Sequence, residues 1–423
     1  MDFNYEELKQ AKILPICDEQ HYIFDVNEAI KSIPMNITYS MIFSKSFSVK
    51  ELSAAVDQCI KTADIFAARC AVKDSGQYIE FMPYQKPEIP AYDFSTQEEF
   101  EMFCNQARTT KINNREKLYY IFIYSMAGSY YHICFIFNHL IMDGISIILL
   151  SDKIQKVLND SKEEIIWHPY SAYLNNVKKY RESQRYLDDT IFWENRFLEI
   201  SKCNNLFDEI ITEGKSTIQE LSFQTTQKSK QDLMEFCLKK SIKPYCLIAT
   251  ILAQILSEKT CCKRFCIEIP IANRLGTNDK NSLGIYETTL PFIFDFDRYQ
   301  NLSDLLESVH KQSFDYYRHN NYDWNTRIAS EESVNKYGKY IPQLSFSYFC
   351  TNKEISSTFA TLNYHRCEID SLPLTIYISD YLDWRTITYH YMYWDNYFNK
   401  REIVEIYQKM ENMIESFIIK NVS

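Results

Sequence analysis

The chain has 423 residues, 46% hydrophobic and 24% charged, with a formal net charge of −10. One hydrophobic core serves roughly 250 to 300 residues, so the length predicts two lobes, and the composition excludes a disordered chain. The acidic balance argues against nucleic acid as a partner, and scarce glycine (7 residues), with neither GxxxxGK[ST] nor GxGxxG, argues against a nucleotide-phosphate loop.

The opening MDFNYEELKQAK is acidic and polar and lacks the apolar core of a signal peptide. MNITYSMIFSK (35–45) alternates and is rich in β-branched and aromatic residues, so it reads as a strand. SVKELSAAVDQCIKTADIF (48–66) has a serine to cap it and apolar positions at helical spacing. QYIEFMP (77–83) returns to a strand. KLYYIFIYSM (117–126) and YYHICFIFN (130–138) flank a short turn containing glycine and predict a hairpin. After Gly144, ISIILLSDKIQKVLND is long and periodic enough for a helix. A polar, composition-shifted stretch near 161–190 reads as the bridge between lobes. Its basic patch NVKKYRESQR (176–185) reads as a solvated helix face, with an acidic protein partner as the alternative.

In the second half, 230–241 and 243–260 read as helices, and RFCIEIPIANR (264–274) as a strand entering a polar turn. Strands are predicted at 286–296, 342–350, 374–382 and 385–394, and helices at 302–320 and 400–420. The longest apolar run, YCLIATILAQIL (245–256), is too short to span a bilayer and is broken by Thr250 and Gln254. The 13 cysteines show no metal-binding spacing, and CCKRFC (261–266) has no histidine nearby. Buried, reduced thiols in a cytoplasmic protein with no metal and no membrane association are expected. The fold class is α+β in two lobes.

One stretch asks for an explanation. The apolar run from 130 to 150 is interrupted by Asn138, His139, Asp143 and Gly144, and burying an imidazole and a carboxylate is costly unless each finds a partner. The plain reading is a hydrogen-bonded histidine at a strand end and an aspartate opening a helix. A zinc site lacks a third ligand. The alternative is catalytic: strand ends are where side chains on a rigid frame reach a cleft.

The H-x-x-x-D-G pattern of His139, Asp143 and Gly144, followed by Ser146, resembles the signature of the condensation domains of nonribosomal peptide synthetases. That superfamily includes chloramphenicol acetyltransferase. Similar segments recur in order from about 35 to 418: FSVKELSAAVDQCIKTADIFAARCAV, then YSAYLNNVKKYRESQRYLDDTIFWENRF, then IPIANR with SLGIYETTLPF, then LSFSYF and the closing helix. The chain departs from the family at three places. Asn138 stands where a first histidine is common. Ala67 replaces an arginine, with Arg69 two residues on, and the usual asparagine after the second-lobe glycine is replaced near Glu287.

The resemblance implies two chloramphenicol acetyltransferase-like lobes in a V-shaped pseudo-dimer with a central tunnel. The N-terminal lobe would cover 1–172 and the C-terminal lobe 173–423. With no adenylating or carrier segment recognised in the sequence, a freestanding, monomeric acyltransferase acting in trans is expected, the alternative being an excised piece of a larger synthetase. Acyl or peptidyl groups would arrive as thioesters on the 4′-phosphopantetheine of a carrier protein, with no bound cofactor. A small-molecule amine or aminoacyl acceptor would receive them. His139 would be catalytic, and the Gly144 N–H would help at the oxyanion. Asp143 and Arg274 would form a structural ion pair, while Asn138, Ser146 and Ser347 are candidate substrate-contacting residues. An acyltransferase using acyl-CoA and a catalytically silent carrier-docking domain are the competing readings.

Overall fold

The computed structural model describes residues 12–29, 35–73, 76–113, 117–159, 164–207, 217–274, 276–299, 301–351, 360–365, 372–381 and 385–421. The first elements are β1 (Lys12–Pro15), α1 (Asp18–Ala29), β2 (Asn36–Phe43), α2 (Val49–Ile60), β3 (Ala68–Lys73) and β4 (Gly76–Phe81). Next come β5 (Ala91–Phe94), α3 (Gln97–Thr110), β6 (Tyr119–Met126), β7 (His132–Asn138), α4 (Gly144–Asn159), α5 (Tyr170–Arg181) and α6 (Gln184–Ile200). They are followed by β8 (Ile218–Gln224), α7 (Gln227–Lys240), α8 (Pro244–Thr260), β9 (Arg264–Ala272), β10 (Glu287–Asp295) and α9 (Leu302–Arg318). The chain continues through α10 (Trp324–Ile328), α11 (Glu331–Tyr337), β11 (Leu344–Thr351), β12 (Ala360–His365), β13 (Leu374–Tyr381), β14 (Thr388–Trp394) and α12 (Lys400–Asn421).

The chain divides into two compact units. One holds Met1–Tyr186 together with Ala272–Glu287 and Ile355–Cys367, and the other holds Leu187–Ile271, Thr288–Glu354 and Glu368–Ser423. This differs from a division at 172/173. That boundary would cut α5, and the later segments join the first unit because Leu283, Ile285, Tyr286 and Ala360 pack into its core. The stretch near 161–190, expected as a bridge, contains α5 and the start of α6. These are amphipathic helices whose buried Tyr170 and Leu174 are masked in the sequence by a polar outer face.

In the first unit a five-stranded sheet has the order β12-β2-β7-β6-β5, and a smaller sheet the order β1-β4-β3. Every pairing is antiparallel except β5 with β6. The β6–β7 turn places Ala127 (φ 48°) and Gly128 (φ 71°) in the left-handed region, with Ser129 N–H donating to the Met126 carbonyl at 3.0 Å. That is the type I′ geometry that matches strand twist. Central strand β7 is buried along its whole length. Ile133, Phe135 and Phe137 enter one core cluster, Cys134 and Ile136 another. Cover on both faces explains why the strand reads as an unbroken apolar run. Helix α2 is fixed at its start by a capping box between Ser48 and Glu51.

The second unit is built on a six-stranded sheet ordered β10-β9-β11-β13-β14-β8. β11 runs parallel to β9 and β13, and β14 is antiparallel to β13 and β8. Helix α8, the apolar run noted in the sequence, is buried along most of its length as a core helix. Thr250 interrupts it without penalty because its hydroxyl donates to the Cys246 carbonyl at 2.6 Å. Among the described residues no helix is long and apolar enough to cross a membrane.

Candidate active site

His139 stands at the first position after β7, in a single 3-10 turn spanning His139–Ile141. Its backbone N–H donates to the Met35 carbonyl at 2.8 Å, beside β2. Asn138 is fully buried, and its side-chain oxygen accepts from the Leu140 N–H at 3.1 Å, capping the turn. From α1, Gln20 donates to the Leu140 carbonyl at 2.8 Å. Three separate elements thus fix the backbone that presents the imidazole.

The residue is half-buried, and its Nδ1 is enclosed without a hydrogen-bond partner. Burial lowers the His139 pKa, opposed by its own carbonyl, by the Asp143 charge and by the Met142 carbonyl. The shift favours the neutral ring.

Asp143 is 2% exposed and saturated with donors. One Arg274 Nη2 reaches its two oxygens at 3.0 and 3.1 Å. The Ser146 N–H donates at 2.7 Å and the Tyr286 N–H at 3.0 Å. Burial alone would raise the Asp143 pKa, and Arg274 with these two N–H groups outweighs it, so the carboxyl lies below its ordinary value. Arg274 is 7% exposed and also donates to the carbonyls of Asp279 (2.5 Å) and Ser282 (2.7 Å). Its guanidinium lies 4.2 Å from the centre of the Tyr286 ring. The segment that carries Arg274 packs tightly here: a Cβ on Gly284 would sit 2.1 Å from the Tyr170 ring, so only glycine fits.

The other expected residues are placed as follows. Ser146 is buried, accepts from Arg274 Nη2 at 2.6 Å and from the Gly284 N–H at 3.1 Å, and donates to the Gly284 carbonyl at 2.7 Å. Asn138 caps the turn that carries His139, and Ser146 ties Arg274 to Gly284, so both serve the framework of the site. Ser347 belongs to the second unit, on β11 opposite Tyr377 of β13. Arg69 pairs across strands with Glu80 at 2.7 Å and takes no part in the site.

Gly144 has neither a left-handed backbone nor a close neighbour, since a Cβ there meets nothing within 4 Å. A side chain there would point into open space. Glu287, the substituted position, is partly enclosed, and burial followed by the Asp143 charge raises its pKa to about 7. Residue-level reading missed Tyr286, whose backbone N–H steadies Asp143. A main-chain donor leaves no mark in composition or spacing.

Residues 10–421 match the condensation domain family. Two Bacillus subtilis (strain 168) proteins are similar to this chain: the first subunit of surfactin synthase, 22% identical over 296 residues, and one of the subunits of plipastatin synthase, 20% identical over 298 residues. Each match takes in 66% of this chain but only 8% and 11%, respectively, of those much longer proteins. Among solved structures, a mutant starter condensation domain of rhizomide synthetase in complex with C8-CoA is similar at TM-score 0.79 and 13% identity. That likeness covers 96% of this chain and 95% of the other. The condensation domain of the Monacolin K polyketide synthase is similar at TM-score 0.78 and 13% identity, covering 96% and 98%. The epimerization domain from the third module of tyrocidine synthetase B gives 0.77 and 13%, covering 97% of each chain. At such identities the likeness is one of fold.

Proposed function

The chain belongs to the condensation-domain family, and from that premise we propose that it forms amide bonds in nonribosomal peptide or hybrid biosynthesis. An acyl or peptidyl group passes from the pantetheine thioester of a carrier protein to an amine, free or held on a second carrier. The amine attacks the thioester carbonyl and gives a tetrahedral adduct with a positively charged nitrogen. With Nδ1 enclosed, Nε2 of His139 is the nitrogen left to take that proton. The C–S bond then breaks, the carbonyl re-forms as the amide, and the departing thiolate takes the proton from the His139 imidazolium to leave as the thiol. The Gly144 N–H, at the start of α4 without an intrahelical acceptor, is suited to the developing oxyanion. Asp143 and Arg274 hold the loop and stay out of the proton transfer.

The observation that supports this reading is the placement of His139 at a strand end, in a turn fixed by three hydrogen bonds, beside a glycine whose Cβ position is open. A base placed to take the amine proton speeds amide formation by about 10² to 10⁴. The test is turnover of an acyl-carrier thioester with an amine acceptor, set against the same acyl group on CoA. Carrier-dependent amide should form, and His139→Ala should lose about 10² to 10⁴ in kcat while its melting curve stays near that of the parent. Turnover with acyl-CoA and none with the carrier would replace this reading by a CoA-dependent acyltransferase. An undiminished His139→Ala rate would remove the base.

A further inference from the structure

The CCKRFC segment, which the proposed chemistry does not use, meets a distant cysteine in the second unit. Cys203 follows the end of α6, and its neighbour Asn204 donates its N–H to the Arg264 carbonyl at 2.8 Å, laying this segment along β9. Cys266, two residues along β9 from Arg264, points its thiol at the Cys203 sulfur, 3.6 Å away. Neither cysteine is fully buried. Both line a cavity of about 360 Å³ with Leu206, Phe265, Tyr340 and Gln343.

The surroundings make the two thiols unequal. Cys266 donates to Cys203, and Cys203 in turn donates to the Glu199 carbonyl at 3.6 Å. Arg264 is anchored by Glu199 (2.6 Å) and Asp295 (2.5 Å), while its Nε is enclosed without a hydrogen-bond partner. The hydrogen bond from Cys266 and the adjacent guanidinium lower the Cys203 pKa against burial, whereas donating that bond, with burial, raises Cys266. A stabilised thiolate is the attacking species in thiol–disulfide exchange, and a second thiol within reach completes it.

We propose that Cys203 and Cys266 form a modification site in which a small organic disulfide, admitted to the cavity, oxidises the pair to an intrachain disulfide. The Cys203 thiolate attacks one sulfur of the reagent, so an S–S bond forms and one small thiol leaves, taking up the proton Cys203 gave. Cys266 then loses its proton and attacks the Cys203 sulfur, and the second small thiol leaves with that proton. Two protein thiols are oxidised and one reagent disulfide is reduced to two thiols. The sulfurs close from 3.6 Å to about 2 Å, within reach of side-chain rotation.

The full chain, fully reduced, is exposed to hydroxyethyl disulfide, quenched with an alkylating agent, and read by intact mass and peptide mapping. The expected product lacks two alkyl groups relative to the reduced chain quenched in the same way, and its disulfide maps to Cys203–Cys266. It should appear before adducts on Cys261 and Cys350, which are the exposed cysteines among the described residues. Cys266→Ser should trap one hydroxyethyl thiol adduct on Cys203, and Cys203→Ser should leave Cys266 reduced. Three results overturn the proposal: Cys203 and Cys266 both alkylated while Cys261 or Cys350 is modified, a lasting adduct on Cys203 in the parent chain, or a cross-link from Cys203 to Cys262. The parent-chain arm decides the matter even where a serine variant fails to fold.

Discussion

At the scale of single residues, Gly144 and Glu287 separate function from folding. Open space at Gly144 means that a methyl group costs the fold little. If that space receives substrate, Gly144→Ala keeps or raises the melting temperature while kcat/KM falls about tenfold or more. Unchanged kinetics would show the space to be unused. Glu287 tests the electrostatics through stability. Its pKa rises from 4.5 to about 7 in the fold. Below 4.5 both states hold the proton. Between 4.5 and 7 the unfolded chain ionises while the folded chain does not, so stability drains away as pH rises, and above 7 the loss is constant. Glu287→Gln should therefore match the parent near pH 4.5 and exceed it at pH 8 by about 1 to 3 kcal/mol in chemical denaturation. A gain that does not depend on pH would contradict the burial argument.

Elements show where sequence reading succeeds and where it stops. The β6–β7 hairpin and α4 are legible because their runs are long, their periods clear and their turn contains glycine. The turn type adds a prediction. Ala127 has φ 48°, which alanine adopts poorly and asparagine tolerates. Ala127→Asn should stabilise the first unit by about 0.5 to 1 kcal/mol, and a lower melting temperature would count against the type I′ assignment. Other elements escape the sequence for physical reasons. β12 is an edge strand with Leu362 only half-covered and Tyr364 exposed, so its alternation is weak. Helix α5 hides a buried Tyr170 behind lysines and looks like a linker. His139 and Asp143 stand out because charge inside an apolar run is expensive. Arg274 became a partner only through resemblance, since no periodicity links positions 131 residues apart.

For the whole molecule, the consequential fact is that the chain leaves the first unit at Tyr186 and returns to it twice. The return at Ala272–Glu287 supplies the guanidinium on Asp143, the Tyr286 N–H and the buried Leu283 and Ile285, and the return near 360 supplies the strand beside β2. A fragment ending at Tyr186 contains His139, Asp143 and most of the five-stranded sheet, yet it lacks all of these. Leaving the Asp143 carboxylate enclosed without its guanidinium costs about 3 to 5 kcal/mol, a large part of a domain's net stability of about 5 to 15. Uncovered apolar surface on β2 and α5 adds to that. The fragment 1–186 is therefore expected to lose the near-ultraviolet circular dichroism of fixed aromatic packing, to bind hydrophobic dye, and to melt without a sharp transition. Adding Asp143→Leu, which removes the enclosed charge, should restore part of the cooperativity. A fragment that melts as sharply as the full chain, and near the same temperature, would mean that the returning segments decorate a unit already complete without them.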